Sequence, residues 1–567
     1  MFKLHIFYIF IASFGPIFGQ VQTCLPYDTN LCYIKEKFPV SELKIEKRIE
    51  SEEGVSLSRT SLLADIDGDC IPELIIGGIE NNQLNFINPF NGKTIKKINS
   101  DYFGESASPF AIADVDNDGK IEIVLSMYDG IFTSPSVKGK LVCLNLDGTT
   151  KWISDQKYGQ NISFSKSGCP AFADFNQDGK TEVYIHNSIF NGQTGAMLCN
   201  GGLNGIGNQT GVDPTGIGSS SEGTLSVAAQ LDDDPADLEL AAGYSVYKVM
   251  ISNPSSQLGN KMTPLNILID SEYRDGLTSV ADINKDGKLD VIVSSAQKNI
   301  GTLYVYSMIK GLPTLLTKKS FSNNISNIGP ALIGDINGTG QLSIIIDRPD
   351  SLFSFNYDGT TMLNQQWTMK VDDKSGDSNL TLFDLDNDGR NEIIYRDESF
   401  LRILNSASNF SNELTKIKCP APSRHEGPIV GDIDNSGNVK ICVSCFNIDS
   451  TLMKLYIFAP PDTLPGWAPG RGIWNQYAYN PLFINDNLSV PQFPKNQATY
   501  MNGKYNNFMQ QESLLDNNGM YKKSAASLTG KIKSVNYNSN NDVYTVTFDI
   551  YNRADASAKA DSNLAVS

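Results

Sequence analysis

One motif recurs eight times along this chain, and nothing else in the sequence restricts its fold as strongly. The string Asp65-Ile-Asp67-Gly-Asp69-Cys-Ile-Pro-Glu73 reappears as Asp114-Val-Asp116-Asn-Asp118-Gly-Lys-Ile-Glu122 and as Asp174-Phe-Asn176-Gln-Asp178-Gly-Lys-Thr-Glu182. Further copies are Asp282-Ile-Asn284-Lys-Asp286-Gly-Lys-Leu-Asp290 and Asp384-Leu-Asp386-Asn-Asp388-Gly-Arg-Asn-Glu392. Three copies are eroded: Gln230-Leu-Asp232-Asp-Asp234 with one inserted residue before Glu239, Asp335-Ile-Asn337-Gly-Thr339-Gly340 ending in Ser343, and Asp432-Ile-Asp434-Asn-Ser436-Gly437 ending in Lys440. Starts at 65, 114, 174, 230, 282, 335, 384 and 432 lie 48 to 60 residues apart.

A short apolar run precedes each copy and a β-branched run follows it, as in Pro109–Ala113 and Ile123-Val-Leu. A third strand such as Lys140–Asn145, a turn such as Asp147-Gly148 and a fourth strand such as Thr94–Ile98 complete the unit. Four short strands in a repeat of about 50 residues describe one blade of a β-propeller. After the last copy only two further strands follow, at Val439–Cys445 and Leu455–Phe458. The segment Leu43–Glu50 has the pattern of an outer strand, so it is expected to complete the last blade and close the ring. The expected fold is all-β, with eight blades; seven is the alternative count.

The motif's chemistry is that of a cage for a hard cation. Carboxylate or amide oxygens at positions 1, 3 and 5, a backbone carbonyl at 7 and a carboxylate at 9 suit Ca²⁺, which takes roughly six to eight oxygens in flexible geometry. Glycine at position 6 supplies the left-handed turn that folds the loop around an ion. The last acid stands at position 9 and a strand follows, unlike the EF-hand, whose closing Glu stands at about position 12 before a helix. Turns rich in Asp and Asn also form without any ion. Repetition in phase favours the ion, because so many crowded carboxylates repel one another unless neutralised. About five Ca²⁺ sites are therefore expected, with ligands Asp65, Asp67, Asp69 and Glu73; Asp114, Asp116, Asp118 and Glu122; Asp174, Asn176, Asp178 and Glu182; Asp282, Asn284, Asp286 and Asp290; and Asp384, Asp386, Asp388 and Glu392. The loops at Asp114 and Asp384 are complete, whereas Cys70 replaces the glycine in the first. The copies at Asp335 and Asp432 are expected to have lost the ion.

These loops resemble the FG-GAP/VCBS repeats of integrin α-subunit propellers and of many bacterial surface proteins, over about residues 40 to 460. The resemblance implies ions that stiffen one face of the propeller while ligands bind through loops elsewhere. Cys70, Thr339, Ser343, Ser436 and Lys440 depart from that family's pattern. Downstream, Gly466-Trp467…Arg471-Gly-Ile-Trp474-Asn-Gln-Tyr477-Ala-Tyr479 and Ile484…Pro491 look like a segment that follows propellers in exported Bacteroidota proteins. That likeness implies an adhesin and the type IX export machinery as a partner. Residues 461–523 are expected to form an extended segment anchored on the propeller by its Trp and Tyr rings. From 524 to 567 the alternation in Val543–Ile550 predicts the start of an Ig-like sandwich, truncated because roughly 100 residues make a complete one.

Residues 1–19 read as a secretory signal, with Lys3 before the apolar run Ile6–Phe14, followed by a leader over 20–39. The mature chain is thus expected outside the cell or on its surface, with no membrane span. Nine cysteines fit that compartment; Cys24 and Cys32 make a plausible staple, and Cys442 and Cys445 point to opposite faces of a strand. A net charge of −17 argues against a nucleic-acid partner. No nucleophile elbow or zinc signature accompanies His186 or His425, and His425 beside Glu426 reads as a surface-loop pair. Gly201–Gly223 reads as a mobile surface loop or a ligand-contact loop. The chain is expected to bind an extracellular protein or glycan in adhesion and not to be an enzyme. A polysaccharide lyase or a fibre spacer is the alternative.

Overall fold

In the computed structural model, the described residues are 44–56, 60–78, 83–103, 109–127, 139–158, 168–209, 223–323, 327–376, 378–405, 413, 415–421, 427–447, 452–515, 528–538 and 543–552. The signal and leader, the Cys24–Cys32 staple, the His425–Glu426 pair and most of 524–567 lie outside them. Among the described residues, strands form eight four-stranded antiparallel sheets and one two-stranded ribbon. The eight sheets are the blades of a propeller arranged in a ring.

Each blade begins at the axis with a short, fully buried strand of small or branched residues, such as Ala171–Ala173 or Val227–Ala229. The second strand is equally buried and β-branched, as in Asp290–Ser295. The fourth alternates between exposed and half-buried, as in Leu363–Lys370. This gradient follows from the wedge shape of a blade, because chain near the axis is covered by two neighbours and the rim faces water.

The register repeats from blade to blade. Motif position 9 pairs with the residue just before position 1: Ala64↔Glu73, Ala113↔Glu122, Ala173↔Glu182, Ala281↔Asp290 and Phe383↔Glu392. The inserted residue of the fourth copy stays within its loop, since Ala229 still pairs with Glu239. The outer strands of blades 1, 2, 3, 5, 6 and 8 carry a bulge at one equivalent point, so that Ile95, Lys151, Leu198, Leu316, Gln366 and Arg48 each stand as the extra residue.

The ring closes as the sequence leads one to expect. Glu46–Glu50 is the outer strand of the eighth blade and pairs with Met453–Ala459 through Glu46↔Ala459 and Glu50↔Tyr456. Gly92, in a turn of blade 1, packs against this strand: a Cβ there would stand 2.0 Å from the Glu50 carbonyl, and its φ is +70°.

Residues 461–515 run beneath the ring on the face that carries the acidic loops. The innermost strands leave an unpaired edge toward the axis, and this segment satisfies it. Leu63 and Trp474 exchange backbone hydrogen bonds of 3.0 and 2.7 Å, Ile112 N–H donates to Asn475 O at 2.9 Å, and Phe508 N–H donates to Ile333 O at 2.9 Å. Trp474 stacks on Tyr479 at 4.8 Å between ring centroids, with both rings buried.

Two readings need correction or completion. Gly201–Gln209, expected in a mobile surface loop, is packed: Asn208 and Gln209 are fully buried, and the buried Asp275 carboxylate accepts N–H bonds from Ile206, Gly207 and Asn208. Residues 210–222 lie outside the described set. Cys445 forms a disulfide with Cys419, joining blade 8 to the end of blade 7, while Cys442 is a buried thiol. The ribbon at the C-terminal end pairs Leu528–Asn538 with Val543–Asn552.

Candidate metal-binding loops

Every acidic loop joins the first strand of a blade to the second, so all eight lie on one face. Inside each loop the backbone arranges the carboxylates. Except in blades 1 and 4, the Asp at position 1 accepts N–H bonds from positions 5 and 6, as Asp114 does from Asp118 at 3.1 Å and Gly119 at 2.9 Å. Asp65 of blade 1 accepts instead from Gly68 and Cys70 at positions 4 and 6, and blade 4 has Gln230 at position 1. One oxygen of the position-9 acid accepts the N–H of position 2: Ile66 to Glu73, Val115 to Glu122, Phe175 to Glu182, Ile283 to Asp290 and Leu385 to Glu392. Such bonds orient a second oxygen of each acid toward the loop centre. Two left-handed residues make the turn, at position 6 (Gly389, φ +89°) and at position 4, where Asn117, Gln177, Lys285 and Asn387 have φ between 55° and 61°. The second requirement went unread in the sequence, although Asn is among the residues that tolerate it best. In blade 1 the two roles are exchanged, with Gly68 at position 4 and Cys70 at position 6 with φ 71°. Cys70 is also disulfide-bonded.

Positions 1, 3 and 9 converge. One oxygen each of Asp65, Asp67 and Glu73 lie within 4.8 Å of one another; the same holds for Asp114, Asp116 and Glu122, and for Asp384, Asp386 and Glu392. Each of these three groups can hold a metal ion. Position 5 does not enter them: one oxygen of Asp69, Asp118, Asp178, Asp286 and Asp388 accepts the N–H of position 7.

In blade 3, Asp174, Asp178 and Glu182 keep the same backbone bonds. The Asn176 amide nitrogen donates to Ile251 O at 3.2 Å, which leaves its oxygen buried and without a hydrogen-bond partner. In blade 5, the Asn284 oxygen accepts the Asp286 N–H, and its nitrogen faces Asp286 and Asp290 at 3.2 and 3.4 Å.

Buried oxygens without a partner test whether an ion fits. Glu392 Oε1 and Asp386 Oδ2 are such atoms, on side chains 0 % and 2 % exposed. A buried anionic oxygen that accepts nothing is costly; a bound cation satisfies it, and without one a proton does. Burial also raises the pKa values of these acids, because it disfavours the bare anion. It pushes Glu73 up to about 7 and Glu392 well above the usual range, with repulsion from Asp386 and Asp384 added in the latter. Asp174 and Asp384 rise to about 7, again mainly through burial. Glu122 rises only to about 6, because the Lys151 ammonium opposes the effect of burial.

The C-terminal segment also holds these loops in place, a role the sequence did not disclose. Asn506 grips the backbone of Asp282 with both ends of its amide, accepting the N–H at 2.7 Å and donating to the carbonyl at 2.9 Å. Asp114 N–H donates to Leu488 O, and Asp432 N–H to Arg471 O.

No protein-family model matches the chain, and no curated protein matches it. Solved structures do. The V. cholerae biofilm matrix protein Bap1 is similar with a TM-score of 0.56 at 13% identity, over 82% of this chain and 98% of that one. The rhamnogalacturonan lyases YesW and YesX are similar at 14% and 13% identity with TM-scores of 0.45 and 0.44, covering 83% and 86% of this chain and 83% of each lyase. The kinship with Bap1 is one of fold.

Proposed function

We propose that this protein is an exported calcium-binding propeller that works by binding, in adhesion to an extracellular protein or glycan. The observation that carries the calcium part is the pair of fully buried, unpartnered carboxylate oxygens on Asp386 and Glu392. An all-oxygen donor set of this kind suits a hard cation, and its assembly from a flexible loop suits Ca²⁺ better than Mg²⁺, which demands near-ideal geometry and retains water. The residues Asp65, Asp67, Glu73, Asp384, Asp386 and Glu392 would hold ions, and bound ions would fix the loops joining the two innermost strands of a blade.

Binding as the activity draws support from what covers the axis. The Trp474–Tyr479 segment fills the acidic-loop side. Tyr477 of that segment reaches through the axis to a cleft beside the starts of the innermost strands, whose described lining of Leu62, Phe110, Leu225, Leu277 and Pro330, with Thr60 and Thr224, would suit contact with a partner. A biofilm matrix protein shares the fold. Export rests on residues 1–19, and among the described residues no helix is long and apolar enough to cross a membrane.

The experiment is a glycan array and a pull-down from extracellular matrix, each run in Ca²⁺ and in chelator, beside a lyase assay on acidic polysaccharides. Calcium-dependent retention of a ligand without product is expected. Release of unsaturated sugar would replace this reading with an enzymatic one.

A further inference from the structure

The eight loops divide by what faces motif position 3. In blade 2 the Lys151 ammonium lies 2.5 Å from Asp116 Oδ2 and 2.7 Å from Glu122 Oε1. In blade 4, Lys248 lies 2.7 Å from Asp232 Oδ2. In blade 8, Lys440 itself occupies position 9 and reaches Asp434 Oδ1 at 2.5 Å and Ser436 Oγ at 3.0 Å. Each lysine therefore sits on the position-3 carboxylate, although the three come from a fourth strand, a third strand and the loop's own last position. Asp67 and Asp386, at position 3 of blades 1 and 7, take part in no ion pair among the described residues, and blades 3 and 5 carry the neutral Asn176 and Asn284 there, the latter with its amide nitrogen on Asp286 and Asp290.

We infer that the chain's own lysines take the place of the divalent ion in blades 2, 4 and 8, so that Ca²⁺ binds in alternate blades, 1, 3, 5 and 7. The inference rests on the calcium reading and sharpens its count. Blade 6 drops out because Thr339 and Ser343 replace two acids. Blade 2 decides the matter, because its loop is complete in sequence and would otherwise be counted.

Register explains how Lys151 gets there. It is the extra residue of the outer-strand bulge, and a bulge re-aims a side chain. The same bulge carries the uncharged Ile95 in blade 1, Leu198 in blade 3 and Leu316 in blade 5, and in blade 8 it carries Arg48, which pairs with Glu46 and Asp462 instead of the loop. Lys248 has a parallel origin: it stands opposite Glu239, where blades 2 and 3 place Asn145 and Asn191 opposite their own position-9 acids. A tethered ammonium needs no ion from solution, and it is held by the fold at every Ca²⁺ concentration. In blade 2 it occupies one oxygen each of Asp116 and Glu122, while Asp116 Oδ1 stays buried without a hydrogen-bond partner among the described residues.

The test counts ions on the full chain, by elemental analysis after removal of free ion and by titration with Ca²⁺ alone. Wild type should hold about four ions per chain, one for each of blades 1, 3, 5 and 7. Lys151→Leu, which installs the residue type found at this bulge in blades 3 and 5, should gain one; Lys151→Arg should gain none. Lys151→Gln gives the same reading if the leucine variant does not fold. A Lys151→Leu protein that binds no more Ca²⁺ than wild type overturns the inference. An absence of bound ion from both proteins overturns the calcium reading instead.

Discussion

Blades 2 and 7 carry nearly the same acidic loop, and the fold treats the two differently. Both read Asp-x-Asp-Asn-Asp-Gly followed by Lys or Arg and, two residues on, Glu. In both, the position-1 Asp accepts the N–H groups of positions 5 and 6, and the Glu accepts the N–H of position 2. In blade 2 the remaining Glu122 oxygen meets Lys151; in blade 7 the corresponding Glu392 oxygen has no hydrogen-bond partner among the described residues. A ligand motif thus specifies the shape of a cage but not what neutralises it. The counter-charge is supplied by sheet register, from a residue 29 positions away.

The largest effect that would test this contrast is removal of the ion. A site filled at roughly 100 times Kd stabilises the fold by about 2.7 kcal/mol. Chelation should therefore lower the melting temperature strongly, and unchanged melting would break the comparison at its root. Next in size, Asp386→Ala should lose about one site's share of calcium stabilisation, roughly 2.7 kcal/mol, and should resemble wild type much more closely in chelator. Asp116→Ala should behave otherwise, with a loss of about 1–3 kcal/mol that is the same with and without Ca²⁺, since it strips a half-buried ion pair from Lys151. Paired melts of both variants in Ca²⁺ and chelator check this, and equal calcium responses would erase the distinction.

A pH series gives a smaller effect. Glu73, Asp174, Asp290 and Asp384 have ordinary values near 4 and rise to about 7 in the metal-free fold, chiefly through burial. The folded state then binds more protons than the unfolded state between those limits, so stability in chelator should fall as pH rises from about 4 to 7. Added Ca²⁺ should stabilise more at pH 8 than at pH 5, because it requires the ionised acids. Denaturant midpoints across that range measure both slopes. Smallest of all, Asn387→Ala should cost about 1–2 kcal/mol through its left-handed backbone, and Asn387→Gly should cost less. A larger loss from the glycine variant would mean that the Asn387 side chain, not its backbone, matters.

Much of this was legible in the sequence. Eight loops in phase, each between a buried apolar run and a β-branched run, gave the blade count, and the closing strand over Glu46–Glu50 followed from its outer-strand pattern. The packing of Gly201–Gln209 was not legible, because its glycines and asparagines look like those of any loop. What fixes them is the buried Asp275 carboxylate, 67 to 69 residues away. Nor did the two Cys-x-x-Cys thiols reveal that Cys445 belongs with Cys419, in the strand-end of another blade.

The sequence alone determined the loops and seven of the blades, because a nine-residue cage and a four-stranded blade are built from neighbours in the chain, and the pattern of Glu46–Glu50 marked the strand that closes the eighth. Lys440 stands in the eighth motif itself, but only the tertiary structure decided that Lys151 and Lys248 enter their cages and where Trp474 goes. Trp474 pairs with Leu63 from the opposite end of the propeller's sequence, and Lys151 arrives at Glu122 through a bulge two strands away. Both are matters of register between distant strands, and the side chains that settle them belong to no motif.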